Sequence, residues 1–218
     1  MGEETVKQRN MESITSKAVP LLHENADPGQ MDNDWIMNFF DKSRMISDDH
    51  MQNLWAKILA GEANLPGSYS KATINLLQNL DKRDLEHFQN LCRFGWIVGE
   101  FLPLVFDSTH KIYVGNGVSF DTLKHLDDIG LIRYDSVVGF RRIMTVQCGN
   151  VSYGESVLTF YLPATDNKLP IGEVTLSRAG IELYQLCNSP PVEGFFEYVQ
   201  KKWKKYLKPP KVQSQPKS

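Results

Sequence analysis

The chain has 218 residues, enough to bury a core in one large domain or two small ones. Hydrophobic residues make up 41% and charged residues 23%, which excludes a disordered or fibrous class and fits a globular chain. A formal net charge of −2 excludes a global electrostatic pull toward nucleic acid or membrane, so any such pull has to come from a local patch.

The N-terminal MGEETVKQRN lacks the apolar core of a signal peptide, and Val6 stands where a myristoylation pattern needs Ser or Thr. Val6, Met11, Ile14 and Ala18 are spaced for a short amphipathic helix, broken by Pro20 and then Asp27-Pro28-Gly29. Residues 1–29 therefore read as an N-terminal arm or short helix. Residues 30–95 read as an all-helical unit of short, closely connected helices. In the first of these, Asp32 or Asn33 is the cap and Trp35, Ile36, Phe39 and Phe40 form one apolar face. Ser47 is placed to cap the next, with Asp48 and Asp49 in the first turn, where acids suit the positive end of the helix dipole. Met51, Leu54, Trp55, Ile58 and Leu59 then match the amphipathic template, and Gly61 sits where a left-handed C-terminal residue belongs. Pro66-Gly67 is a turn, Ser70 caps a third helix, and Asp81 recaps a fourth carrying Leu85, Phe88, Leu91 and Cys92.

Residues 96–207 read as an α+β unit. WIVGEFLPLVF is apolar but interrupted, and IYVGNGVSF has the pattern of a short strand and turn. SFDTLKHLDDIG is a capped helix stopped by Gly130, and LIRYD, FRRIMTVQ, SVLTFYLP and GEVTLS are β-rich. Ser177 caps SRAGIELYQLC, and Pro190-Pro191 separates it from a last helix, EGFFEYVQKKWKKYL. Residues 208–218 are polar and Pro-rich and read as a disordered tail. The expected fold class is α+β, mainly α, with a small antiparallel sheet and C-terminal helices.

Catalytic signatures are missing: no phosphate loop, nucleophile elbow, H-E-x-x-H or dinucleotide fingerprint occurs. Five histidines fall on separate segments, and three widely spaced cysteines form no C-x-x-C pair, so no metal, cofactor or catalytic residue is assigned. Cysteine usage and the lack of a roughly 18-residue apolar run predict a cytoplasmic protein with no membrane partner. Glu62 follows an apolar helix at a place where its dipole gives an acid no benefit. It reads as a structural pin, bonded to Arg44, Lys57 or an amide of the Pro-Gly turn. Residues 189–218 hold seven lysines and two glutamates, against a net negative remainder. Lys201, Lys202, Lys204 and Lys205 alternate with Trp203 and Tyr206, which suits nucleic-acid contact. The plainer reading packs Phe195, Phe196, Val199, Trp203 and Tyr206 inward and leaves the lysines solvated.

The order around Leu123, Leu126, Gly130, Leu131 and Ile132, followed by Leu176, Ser177 and Gly180, resembles a winged-helix unit. That resemblance implies a wing near Arg141 and Arg142, with Arg133 beside it, as further nucleic-acid contacts. The presumed recognition helix, DTLKHLDDI, carries three Asp against one Lys and one His, a poor surface for phosphates. The block LWAKILAGE…PGSYS, with VTLSRAGIELYQLC, resembles an uncharacterised bacterial family of unknown function, over about Lys7 to residue 207. SDDHMQNLWAKILA is more loosely similar to the abortive-infection alpha family, which implies a phage-defence or prophage setting. The leading expectation is a non-enzymatic bacterial interaction or regulatory protein with a protein partner or homo-oligomer. A winged-helix nucleic-acid-binding regulator is the alternative, and an unrecognised enzyme the third.

Overall fold

A computed structural model of the chain describes residues 2–163, 166–187 and 189–209. The fold is α+β and mainly α, with small antiparallel sheets and C-terminal helices. Two compact units form: Met1–Glu86 with Arg178–Asn188, and His87–Ser177 with Ser189–Ser218. The tail beyond residue 209, expected to be disordered, lies outside the described residues.

The first unit holds α1 (Glu3–Ala18), α2 (Asn33–Ser43), α3 (Asp49–Asn64), α4 (Lys71–Leu77) and the start of α5 (Lys82–Cys92). Short polar side chains begin α2 to α5. Asp32 accepts from Trp35 N (2.8 Å), and Ser70 from Thr73 N (3.3 Å). Asp81 and Asp84 exchange amide bonds of 2.9 Å each at the start of α5, a reciprocal cap. The cap of α3 is Asp48, which accepts from Met51 N (3.0 Å), rather than Ser47. One residue's shift suffices because Asp accepts from the helix amides as well as Ser does and adds a charge.

α1 packs on α3, burying Ile14 and Ala18. A polar seam aligns the two helices: Ser13 and Lys17 both donate to Gln52 Oε1 (2.7 and 2.9 Å). The core beneath joins Trp35, Phe39, Trp55, Ile58 and Ile74, with Trp35 stacked on Phe39 at 5.1 Å and Trp55 edge-on to Phe39 at 5.2 Å.

Gly61 does not end α3. The helix runs on to Asn64, and Gly61 is absent from the positive-φ glycines. Its role is close approach: a Cβ there would lie 2.8 Å from the Tyr69 ring. Tyr69 is thereby laid against α3, and its carbonyl accepts from the Trp35 indole at 2.6 Å. The turn between carries Gly67 at φ +89°, the position that does need glycine. α8 (Arg178–Leu183) returns to this unit against α4, and its Glu182 accepts from Ser70 N at 2.7 Å.

The second unit continues α5 into a hairpin of β1 (Gly95–Val98) and β2 (Glu100–Pro103), turned at Gly99. The segment IYVGNGVSF, expected as a strand and turn, instead forms α6 (Lys111–Val114). His110 Nδ1 caps it by accepting from Ile112 N (3.2 Å), and the buried Tyr113 hydroxyl donates to Leu104 O (3.0 Å). Capping and burial of one face outweigh the β preference of Ile, Tyr and Val. α7 (Phe120–Asp128) follows, capped by Ser119, and Gly130 at φ +84° ends it. Next come β3 (Ile132–Tyr134), β4 (Phe140–Ile143), β5 (Cys148–Tyr153), β6 (Ser156–Tyr161), β7 (Lys168–Gly172) and β8 (Val174–Leu176). All sheet pairings are antiparallel: a four-stranded sheet ordered β2-β1-β5-β6, and the pairs β3-β8 and β4-β7. α9 (Phe195–Lys202) closes the unit.

Candidate functional site

The strongest local departure from neutrality is built by α9 and the turn after it. Phe195, Val199 and Trp203 recur at four-residue spacing, and all three are fully buried. They pack on an aromatic core in which Trp96 stacks on Tyr153 (5.4 Å) and Phe196 (5.6 Å) and meets Trp203 edge-on (5.4 Å). The Trp203 indole donates to Pro170 O at 2.9 Å. Anchoring this apolar stripe turns the intervening residues outward by helix geometry alone. Lys201, Lys202, Lys204, Lys205 and Lys208 are exposed, and none forms an ion pair among the described residues.

Four of them, Lys202, Lys204, Lys205 and Lys208, line one depression of about 490 Å³. Lys202 also borders a second cleft of about 630 Å³, where Lys201, Lys111 and His110 join Glu193, Glu197 and Tyr198. The His110 and Tyr198 rings lie 4.6 Å apart, and Lys202 Nζ stands 5.4 Å over the Tyr198 ring. Burial pushes the Tyr198 phenol up to about 12, so it is neutral at ordinary pH. The Thr109 hydroxyl, bonded to Asp107 at 2.6 Å, holds the Asp107 carboxyl below its ordinary value, with smaller help from Lys202 and His110.

The arginines lie elsewhere in the same unit. Arg133 on β3 is 3.6 Å from Asp127, and Arg142 on β4 is paired with Glu100. Arg141 borders a cleft of about 280 Å³ together with Phe106, Val138 and Glu173. The structure thus gathers Lys202, Lys204 and Lys205 of the lysines named from the sequence, adds Lys208 and leaves Lys201 on the neighbouring cleft, while the arginines sit apart from them on β3 and β4, two with acidic partners. Tyr198, His110, Lys111, Glu193 and Glu197 were not singled out from the sequence. Only Tyr198 carried a signal, three residues after Phe195 on the same helix.

Glu62 belongs to the first unit and is 2% exposed. Its carboxylate accepts from Gly67 N (2.6 Å) and Tyr69 N (2.9 Å), the amides of the turn rather than Arg44 or Lys57. Among the described residues, no group of three or more His, Cys, Asp or Glu is placed to hold a metal ion, and no helix is long and apolar enough to cross a membrane.

No curated protein and no solved structure matches the chain. Residues 2–200, covering α1 through most of α9, match a family described as Protein of unknown function (DUF2806), and the chain belongs to that family.

Proposed function

We propose that the protein is a non-enzymatic, cytoplasmic bacterial regulator that binds nucleic acid through the lysine face of α9 and the turn after it. The observation that carries this reading is the depression lined by Lys202, Lys204, Lys205 and Lys208, which are exposed and have no carboxylate ion-pair partner among the described residues. Phosphate neutralisation dominates nucleic-acid affinity, and unpaired cations at the end of α9 and in the turn after it supply it without first breaking an ion pair. We read α6, α7, β3 and β8 as a winged-helix-like arrangement. α7 carries Asp121, Asp127 and Asp128, so phosphate contact is assigned to the lysines and not to that helix. The test is binding of labelled oligonucleotides to the full chain between about 50 and 200 mM salt. The reading expects log K to fall with log salt at a slope of about −3, as for three to five phosphate contacts. Charge reversal at Lys204 and Lys205 should weaken binding to all sequences alike. No binding at low salt sinks the proposal.

A second reading, a protein-docking module or homo-oligomer, is favoured by a different observation. Val137 and Val138, at the turn before β4, are 91% and 84% exposed, and Ile143 on β4 is 63% exposed. Adjacent exposed valines and an exposed isoleucine near one ribbon are the composition of a contact surface. Light scattering of the purified chain, with Val137→Lys as comparison, checks it: a monomer at every concentration removes the homo-oligomer. The likeness to abortive-infection proteins adds a phage-defence setting, which phage plating on hosts with and without the gene would test.

A further inference from the structure

The cleft beside the lysine face differs from it in chemistry, and the difference has a use. The lysine depression offers only cations. The neighbouring cleft of about 630 Å³ offers an aromatic wall, Tyr198 with His110, a basic rim of Lys111, Lys201 and Lys202, and two carboxylates, Glu193 and Glu197. Lys202 borders both, so the two adjoin. The volume lies within the range of small-ligand sites, about 300–1,000 Å³.

We infer that this cleft takes one unstacked base of a single-stranded nucleic acid, selecting bases that carry an exocyclic amino group, while the flanking phosphates lie on Lys202, Lys204 and Lys205. The inference rests on the nucleic-acid reading above and narrows it to a strand type and a base class. Three features support it. Aromatic faces beside a cationic groove are the recurrent chemistry of single-strand binding, because every base has a face to stack. The Tyr198 ring is held in place by Phe195 at 6.0 Å and Tyr113 at 5.7 Å, so a base meets a fixed ring once the Lys202 ammonium, 5.4 Å over it, turns to a phosphate. Carboxylates repel phosphate but accept from N–H groups, so Glu193 and Glu197 orient the strand with its base inward and its backbone on the lysines. Acceptors of that kind suit cytosine N4, and likewise the amino groups of adenine and guanine, each with two N–H donors, whereas thymine and uracil offer one imino N–H and no amino group. A duplex keeps its bases stacked and cannot fill the cleft without extruding one.

The experiment measures fluorescence anisotropy of the full chain with labelled oligo(dC) and oligo(dT) of about 15 nucleotides and a mixed-sequence duplex, at fixed salt. Oligo(dC) should bind about tenfold tighter than oligo(dT) and than the duplex. Tyr198→Ala should weaken oligo(dC) about tenfold and leave the duplex unchanged, while Tyr198→Phe keeps the ring and the affinity. Glu197→Gln should erase the preference for oligo(dC) over oligo(dT). Circular dichroism checks folding. If Tyr198→Ala is unfolded, Lys111→Glu, an exposed position outside the aromatic core, serves instead and should weaken oligo(dC) selectively. Equal binding of all three nucleic acids, indifferent to these cleft variants but weakened by charge reversal at Lys204 and Lys205, overturns the base cleft and leaves the phosphate reading intact. No binding of any of them at low salt overturns both.

Discussion

Glu62 shows how one buried charge organises a turn. Its two carboxylate oxygens each accept an amide, from Gly67 and from Tyr69, and the residue is buried. Charge-assisted bonds of this kind are about twice as strong as neutral ones, and removing the acceptor leaves the buried Tyr69 amide unpaired and frees the exposed Gly67 turn. Glu62→Ala should therefore destabilise the chain by about 3 kcal/mol in urea unfolding at neutral pH. Glu62→Gln should lose less, because one of its two oxygens remains an acceptor. An unchanged midpoint for Glu62→Ala would refute the pin. Gly61 is the companion case. Alanine there improves helix propensity by about 1 kcal/mol, yet its Cβ meets the Tyr69 ring at 2.8 Å. Because Tyr69 also carries the carbonyl that holds Trp35, Gly61→Ala should be destabilising, opposite in sign to a glycine replacement in a solvent-facing helix. Thermal unfolding reads the sign directly.

The junction of α4 and α8 depends on a second carboxylate. Glu182 accepts from Ser70 N, from Ser70 Oγ and from Arg178 Nε. Burial by itself would raise its pKa, and the hydrogen bonds from Thr73, Ser70 and Arg178 outweigh that and lower it. A lowered folded value means the contribution to stability is full above the ordinary value of 4.5 and is lost as pH falls through the folded value. Glu182→Gln should thus be less stable than the parent at pH 7, and the gap should shrink as pH falls below 4.5. A gap that stays constant with pH would sink this. At the β7 end, Gly172 has φ +98°, and a Cβ there would lie 2.0 Å from Val105 O. Its neighbour's amide, Glu173 N, donates to that same carbonyl, so the backbones cannot separate. Gly172→Ala should lose about 3 kcal/mol or more, or yield insoluble protein, because backbone and not a movable side chain is the obstacle.

At the scale of the molecule, the chain leaves its first unit within α5 and comes back to it for Arg178–Asn188. A fragment of residues 1–86 lacks α8 and with it the acceptor for Ser70 N. Such a fragment should melt below the same fragment joined through a short glycine-serine linker to residues 178–188, and calorimetry of the two checks it. Equal melting would mean that the returning helix adds nothing to the unit it packs on. Much of the first unit was legible beforehand because its signals are local. The face of Trp35 and Phe39, the run Met51 to Leu59, and the caps Ser70 and Asp81 all act within a few residues of themselves. α6 was misread because Ile, Tyr and Val carry a β preference, while the burial of Tyr113 that overrides it comes from residues distant in sequence. β5 and β7 escaped notice for the related reason that CGNVSY and KLPIG alternate weakly, and their pairing partners define them.

The sequence by itself determined the fold class, the family and the lysine face. The fold class and the lysine face follow from apolar spacing and from residues that solvent must meet once Phe195, Val199 and Trp203 turn inward, whereas the family follows from the likeness of whole sequence blocks over residues 2–200. The tertiary structure alone decided what those lysines lie beside. His110 and Tyr198 are 88 positions apart, and no local period relates them; their rings meet at 4.6 Å because α6 and α9 pack on one aromatic core. It also decided that Gly61 serves the ring of Tyr69 and not the end of a helix. A close approach between two residues in separate elements exists only once both are folded.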